Sequence, residues 1–318
     1  MKTLRKAAVV FACAISAVGP AMADGEAEKP AEASDIQLEK EDPELLTAWL
    51  NADFMSAYVW RNAVCNDDLV LQPSVGADLT RFDPFWLGFS VWQGYDLTHR
   101  RGEILTHGLT ETDYNVHLGA TAWENDEGDT SLSFEIAHEW YDMNFVRDGQ
   151  GGASPDVREI YILSRFVNPV VTVYGQVSWR YLDFGDYKSG VHYEIGFNKE
   201  VELCDSLVAG ADWNVNFGDG HYLQTLYGTT LSGRDAAGDR VYNDTAFGFG
   251  GTTVKVYLTW EVTEWFSLTG LVAYTGVLNG AYREAMGEKG DGFGMCGVPG
   301  EPYPRDFIWG GVTAKFSF

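Results

Sequence analysis

From residue 52 onward, apolar and polar residues alternate with a period of two, the spacing at which successive side chains of a strand point to opposite faces. Phe54, Ser56, Tyr58 and Trp60 alternate with Asp53, Met55, Ala57, Val59 and Arg61. A second segment sets Leu69, Leu71, Val75, Ala77 and Leu79 against Gln72, Ser74, Gly76 and Asp78. Two more follow: Phe85, Leu87, Phe89 and Val91 against Trp86, Gly88, Ser90 and Trp92, then Tyr114, Val116, Leu118, Ala120 and Ala122 against Asn115, His117, Gly119 and Thr121. The rhythm continues through 132–140, 160–166, 171–181, 191–197, 207–217, 254–260 and 266–274. It closes on 308–318, where Ile308, Gly310, Val312, Ala314, Phe316 and Phe318 alternate with Gly311, Thr313, Lys315 and Ser317.

That makes twelve segments, an even number approaching the length of a tilted membrane strand, about 9–11 residues. Connections after even segments are short: 80–84, 125–128, 168–169, 198–205 and 262–265. Every long connection follows an odd one, including 94–108, 142–155, 218–245 and 275–305. Period, strand count and loop asymmetry together predict an all-β fold, a transmembrane antiparallel up-and-down β-barrel of about twelve strands. The short turns and both termini lie at one end, on the periplasmic side, and the long loops lie outside. The last segment is predicted to pair with 266–274 on one side and 54–61 on the other, which places Lys315 across the seam from Asp53.

The N-terminus reads differently. Met1-Lys2-Thr3-Leu4-Arg5-Lys6 is a basic n-region, 7–18 is an apolar h-region, and Ala21-Met22-Ala23 is a small-x-small cleavage pattern, so 1–23 is read as a cleaved signal peptide. Residues 24–50 are read as an acidic periplasmic arm in which 42–50, with Pro43 in a first turn, forms either a short helix or a single turn leading into the first strand. The barrel is assigned to 51–318. No apolar run after residue 23 has the length of a membrane-spanning helix.

Charge narrows the function. The whole chain carries a formal −24. Residues 1–23 hold three bases and no acid, so the remainder sets 19 Lys and Arg against 46 Asp and Glu, a formal −27. Such a balance disfavours nucleic-acid binding, which needs basic clusters, and favours contact with cations. Aromatic residues at 14% and 36 glycines suit girdles and tight turns.

Several short stretches resemble a known family. Ser56-Ala57-Tyr58-Val59-Trp60-Arg61 followed by Asn66-Asp67-Asp68-Leu69-Val70-Leu71-Gln72-Pro73-Ser74-Val75 is similar to the opening hairpin of the TorF-type porin family. Trp92-Gln93-Gly94-Tyr95-Asp96-Leu97, Glu111-Thr112-Asp113-Tyr114 and Arg158-Glu159-Ile160-Tyr161 stand where similar segments occur in it. The resemblance runs from about residue 52 to 318 and implies an outer-membrane barrel with channel activity and no catalytic residues. Asn62 replaces the Gly expected after the Tyr-Val-Trp-Arg run, which argues against a tight turn there.

With the apolar set facing lipid, the other set lines the pore: Asp53, Arg61, Asp78, His117, Glu135, Glu139, Glu159, Arg165, Arg180, His192, Glu194, Asp212, Lys255 and Lys315. Seven are acids, five are bases and two are histidines. Such an interior is polar either because water passes through or because paired charges fill it. His117, His192 and Glu194 invite a metal or a proton, but lone interior histidines are more often simply hydrogen-bonded, and no metal or other cofactor is expected. His138 falls on the apolar face; Trp140 stands two residues on where a nucleophilic Ser would be needed. With no Gly-x-Ser-x-Gly and no His-Glu-x-x-His, no enzyme is expected. The loops 218–245 and 275–305 lack the ordered ligand spacing of a calcium loop and read as solvated turns; whether they fold inward is left open. Cys65 in the first outer loop and Cys296 in the last are predicted to form a disulfide across the seam, with Cys204 free at the opposite end.

The resulting expectation is an outer-membrane, porin-like channel for passive diffusion of small hydrophilic solutes with a mild cation preference. Its partners are outer-membrane lipids, the solutes themselves, and the barrel assembly machinery acting on the C-terminal strand. The alternatives are a plugged barrel whose long outer loops bind a ligand or surface partner, and, more weakly, a lipid-modifying enzyme.

Overall fold

Val, Ile, Thr and aromatic residues at alternate positions favour the extended backbone, and here they build a wall that closes on itself. The chain is described by a computed structural model covering residues 46–82, 84–97, 108–143, 157–181, 189–227, 231–234, 240–242, 247–280, 282–283 and 304–318. In chain order its strands are β1 (Leu46–Met55), β2 (Tyr58–Trp60), β3 (Ala63–Asn66), β4 (Val70–Phe82), β5 (Phe85–Asp96), β6 (Gly108–Glu124), β7 (Ser131–Met143) and β8 (Val157–Val167). They continue with β9 (Thr172–Arg180), β10 (Gly190–Cys204), β11 (Leu207–Gly218), a helix α1 (Gly220–Tyr227), β12 (Leu231–Arg234), β13 (Arg240–Tyr242), β14 (Gly248–Thr263), β15 (Phe266–Val277) and β16 (Asp306–Ser317).

Twelve of these strands form one closed antiparallel barrel in the order β1-β4-β5-β6-β7-β8-β9-β10-β11-β14-β15-β16 and back to β1. Closure pairs every wall strand on both edges, the condition for crossing a membrane with strands. No described helix is long and apolar enough to cross one. At the seam β1 and β16 pair from Trp49↔Ser317 to Met55↔Gly311. The Phe318 amide donates to the Ala48 carbonyl at 2.9 Å and the Ala48 amide returns the bond at 3.1 Å. Two of the short turns are closed by Asn side chains: Asn168 Oδ1 accepts from the Val170 amide at 2.9 Å, and Asn125 Oδ1 from the Thr130 amide at 3.0 Å.

The barrel is inverted relative to a water-soluble fold. Val116, Ile136, Ile162, Val256 and Val272 on its outer face are 49–56% exposed, whereas Glu159, Arg180, His192 and Asn216 on its inner face are 0–1% exposed. An apolar band around the outside with polar groups turned inward is the pattern of a membrane barrel.

Three expectations at the start of the chain are corrected. Residues 46–50, assigned to the arm as a short helix or a turn leading into the first strand, are themselves strand, so the 50/51 boundary falls inside β1. The first wall strand is not 54–61: the chain leaves the wall at Met55, and β2 and β3 form a separate two-stranded sheet. The tight turn that Asn62 argued against is present, because Arg61 and Asn62 adopt φ of 50° and 62°. Two successive positive φ values make the primed turn that joins a two-residue hairpin, and Asn tolerates that conformation better than most residues. At the seam Lys315 lies opposite Asn51, and Asp53 lies opposite Thr313, two residues from the expected register.

Candidate functional site

The bore divides into two halves of different character. Toward the short-turn end lies a cavity of about 480 Å³ whose walls carry Asp53, Glu200, Glu261 and Glu264 against Lys255 and Lys315. Its acids outnumber its bases by two. Alternation puts the strand residues among these inside, Glu264 reaches in from the β14–β15 turn, and hydroxyl pairs hold the wall between them: Thr259 and Thr269 Oγ1 are 2.8 Å apart, and Thr313 Oγ1 donates to Asp53 Oδ1 at 2.6 Å. Tyr257 OH donates to Glu200 Oε1 at 2.7 Å and accepts from Asn198 Nδ2 at 2.8 Å.

Toward the long-loop end the β2–β3 hairpin turns into the bore and reaches the wall on every side. Ser56, at its root, donates its amide to Gly310 O of β16 at 2.9 Å. The Tyr58 ring lies tilted at 5.4 Å against Trp92 of β5, and Trp60 meets Tyr141 of β7 edge-on at 5.4 Å. At the tip, Arg61 Nη2 donates to Glu159 Oε2 of β8 at 3.0 Å, and its Nη1 lies 3.4 Å from His192 Nδ1 of β10. The Gln176 amide of β9, with its oxygen toward the guanidinium, accepts from Arg61 at 2.7 Å. Asn216 of β11 donates to Arg61 O and accepts from the Gly251 amide, while Asn62 Nδ2 donates to Gly251 O of β14 at 3.3 Å. Gly251 has to be Gly here, because a Cβ would stand 2.8 Å from Tyr227 OH and 3.0 Å from Asn62.

The remaining space is filled from the loops. Helix α1 presents Tyr222, Leu223, Leu226 and Tyr227, which cluster with Ala63, Val277 and Tyr282, all at 2% exposure or less. Asp219 caps the helix, its Oδ1 accepting from the Tyr222 amide at 2.8 Å. Tyr222 OH donates to Glu159 Oε1 at 2.9 Å, and its ring lies 4.8 Å from both the His192 ring and the Arg180 guanidinium. Burial, then the adjacent Glu159 carboxylate, hold the Tyr222 phenol well above its ordinary range, so it remains a neutral donor.

The sequence-selected inner residues fall into distinct groups. Arg61, Glu159, Arg180 and His192 meet at the hairpin tip, where Arg61 sits on the plug rather than on the wall. Asp78 and His117 form a separate pair, Oδ1 to Nε2 at 2.7 Å, with Gly88 between them leaving the room a side chain would occupy. Glu135 stands 3.9 Å from Arg165, and Asp212 stands 3.9 Å from Lys255. Glu139 accepts from Tyr141 OH at 2.7 Å. Glu194 lies on β10 opposite Gln176 and Asn216, and Asp53 and Lys315 line the cavity.

His192 and Glu194 are not joined by His117 in a common cluster. Among the described residues no group of three or more His, Cys, Asp and Glu is placed to hold a metal ion. His138 Nε2 lies 2.6 Å from Tyr181 OH on the outer face. Cys65 is disulfide-bonded and Cys204 is free and exposed; Cys296 lies outside the described residues. Sequence reasoning missed Tyr58, Gln176, Asn216 and the α1 tyrosines. For α1 a signal was there: Asp219 ahead of apolar residues at 222, 223, 226 and 227 has the spacing of a capped amphipathic helix.

No protein-family model and no curated protein matches the chain. Among solved structures it is similar to the COG4313 outer membrane channel from Pseudomonas putida F1, with 10% identity, a TM-score of 0.47, and coverage of 86% of this chain and 94% of that one. It is also similar to CdiB from Escherichia coli (9%, 0.46), covering 86% of this chain and 63% of that one, so it spans less than two thirds of CdiB. The translocator domain of the autotransporter NalP from Neisseria meningitidis is 12% identical with a TM-score of 0.40, at 86% and 88% coverage.

Proposed function

We propose that the chain is a porin-like channel of the outer membrane, related to the TorF-type porins, which passes small hydrophilic solutes with a preference for cations and is held closed by its own β2–β3 hairpin. In this reading 1–23 is removed on export, the short turns and the acidic cavity face the periplasm, and the C-terminal strand engages the barrel assembly machinery. The observation that carries it is the two-part bore: a net-acidic cavity at one end and, at the other, an inserted hairpin held by a charged tip. A hairpin meant only to fill space has no need of a guanidinium facing a carboxylate. Buried ion pairs are weak sources of stability and are better suited to specifying one arrangement that can be released. An excess of carboxylates along a narrow bore favours cations.

Planar-bilayer recording of the purified chain tests this. Rare openings in the wild type that become frequent in Arg61→Gln, with a reversal potential favouring cations, are the expected result. A reversal potential favouring anions overturns the selectivity.

A second reading is supported by the α1 cluster, in which Tyr222, Leu223 and Tyr282 are 0% exposed. Here the hairpin is a permanent plug and the long loops bind a ligand or surface partner. Complete silence of both wild type and Arg61→Gln at every voltage selects it over the channel.

A further inference from the structure

On the outer face near the long-loop end, one cation has no anion beside it among the described residues. Arg158 is the second residue of β8, in register with Trp140 of β7, and its carbonyl accepts from the Tyr181 amide beyond β9 at 3.3 Å. Alternation puts Glu159 inside and Arg158 outside. Its guanidinium lies 4.8 Å from the centre of the Trp140 ring. Among the described residues no carboxylate comes within ion-pair distance of it, and its buried Nε has no hydrogen-bond partner. Asp142, the next outward-facing position of β7 toward the loops, is engaged in a contact of its own.

The surroundings say what lies in front of Arg158. Trp140 contacts Tyr114 at 6.1 Å, Tyr181 contacts Trp179 at 5.5 Å, and His138 Nε2 is bonded to Tyr181 OH at 2.6 Å. These side chains form an aromatic patch on the outer face across β6–β9 near the long-loop end, and aromatic residues at that position sit at the level of lipid headgroups. An arginine with unused donors is costly facing hydrocarbon, but at headgroup level it meets phosphate, which its planar fork binds through two parallel hydrogen bonds. Stacking on Trp140 holds the guanidinium in place in advance.

We propose that Arg158, held on Trp140 and flanked by the Tyr181–His138 pair, is a binding site for the phosphate group of a membrane lipid. The site is on the opposite side of the wall from the bore and does not depend on conduction.

Native mass spectrometry of the full chain in neutral detergent tests it, with bis-phosphorylated lipid A as probe and an uncharged monoacylglycerol as control. The wild type is expected to retain one lipid A, with affinity about tenfold above that of Arg158→Gln, the loss expected for one charge-assisted contact. Arg158→Lys, which keeps the charge but not the fork, and Trp140→Leu, which removes the stack, are expected to fall between them. Monoacylglycerol retention should be the same in all four, and unchanged heat-modifiable gel mobility establishes that each is folded. Equal lipid A retention by wild type and Arg158→Gln overturns the proposal. Displacement of the lipid by excess inorganic phosphate also overturns it, since free phosphate is then the ligand.

Discussion

Arg61 and Glu159 are 98 positions apart in the chain, yet their side chains meet at 3.0 Å inside the barrel, with the carboxylate fully buried. The contact exists because Arg61 sits at the tip of a hairpin that has left the wall and crossed the bore. Glu159 has a second donor, Tyr222 OH from α1, so one carboxylate ties both inserted elements to β8. Removing one partner of a buried pair costs about 3–5 kcal/mol, because the other is left uncompensated.

Arg61→Gln and Glu159→Gln are therefore expected to free the hairpin while leaving the twelve-strand wall intact. Single-channel recording should show a higher open fraction in each. The double variant should open no more than the worse single one, because both act on one contact.

Gly251→Val tests the same plug from the wall side. Its Cβ would stand 2.8 Å from Tyr227 OH and 3.0 Å from Asn62, both belonging to inserted elements, so those have to move. The expected outcome is increased conductance with unchanged heat-modifiable mobility; an unaltered closed state would show that the hairpin does not set the bore.

Selectivity should follow the cavity charges. One unit charge at about 8 Å in a water-filled space contributes roughly 0.5 kcal/mol, which corresponds to about a twofold change in cation preference. In an Arg61→Gln background, Glu261→Gln should lower the cation-to-anion permeability ratio by about that factor and Lys255→Gln should raise it. Reversal potentials in a salt gradient read both.

Phe318 pairs with Ala48 through two backbone hydrogen bonds at the seam. Its deletion leaves the Ala48 amide and carbonyl unpaired at the barrel edge, so assembly should fall well before conductance changes. Comparing folded and unfolded bands in membranes with single-channel size in the survivors separates the two effects. Equal assembly of the truncated chain would contradict the role given to this pairing.

The cysteines make a covalent prediction. Cys65 is bonded and Cys204 is free and exposed. Non-reducing peptide mapping is expected to link Cys65 with Cys296 and to find Cys204 labelled by maleimide. A Cys204 cross-link to either of the others would contradict the placement of Cys204 at the short-turn end.

Alternation by itself determined the barrel. It marked Val116, Ile136 and Val256 as outward and Glu159, Arg180 and His192 as inward, and loop lengths separated the two ends. These features survive any correct closure because they depend only on a side-chain period of two. That period is also why the sequence did not settle the rest. A slip of two residues leaves every face unchanged, so Lys315 opposite Asn51 and Lys315 opposite Asp53 read alike. Tyr58–Trp60 and Ala63–Asn66 alternate as a wall strand does, so nothing local separates a hairpin in the wall from one inside the bore. The difference is made by Asn216, Gly251, Glu159 and Tyr222, which supply the inner partners from distant strands and from α1. Only the closed barrel brings them together, and with them the division of the bore into an acidic cavity and a plug.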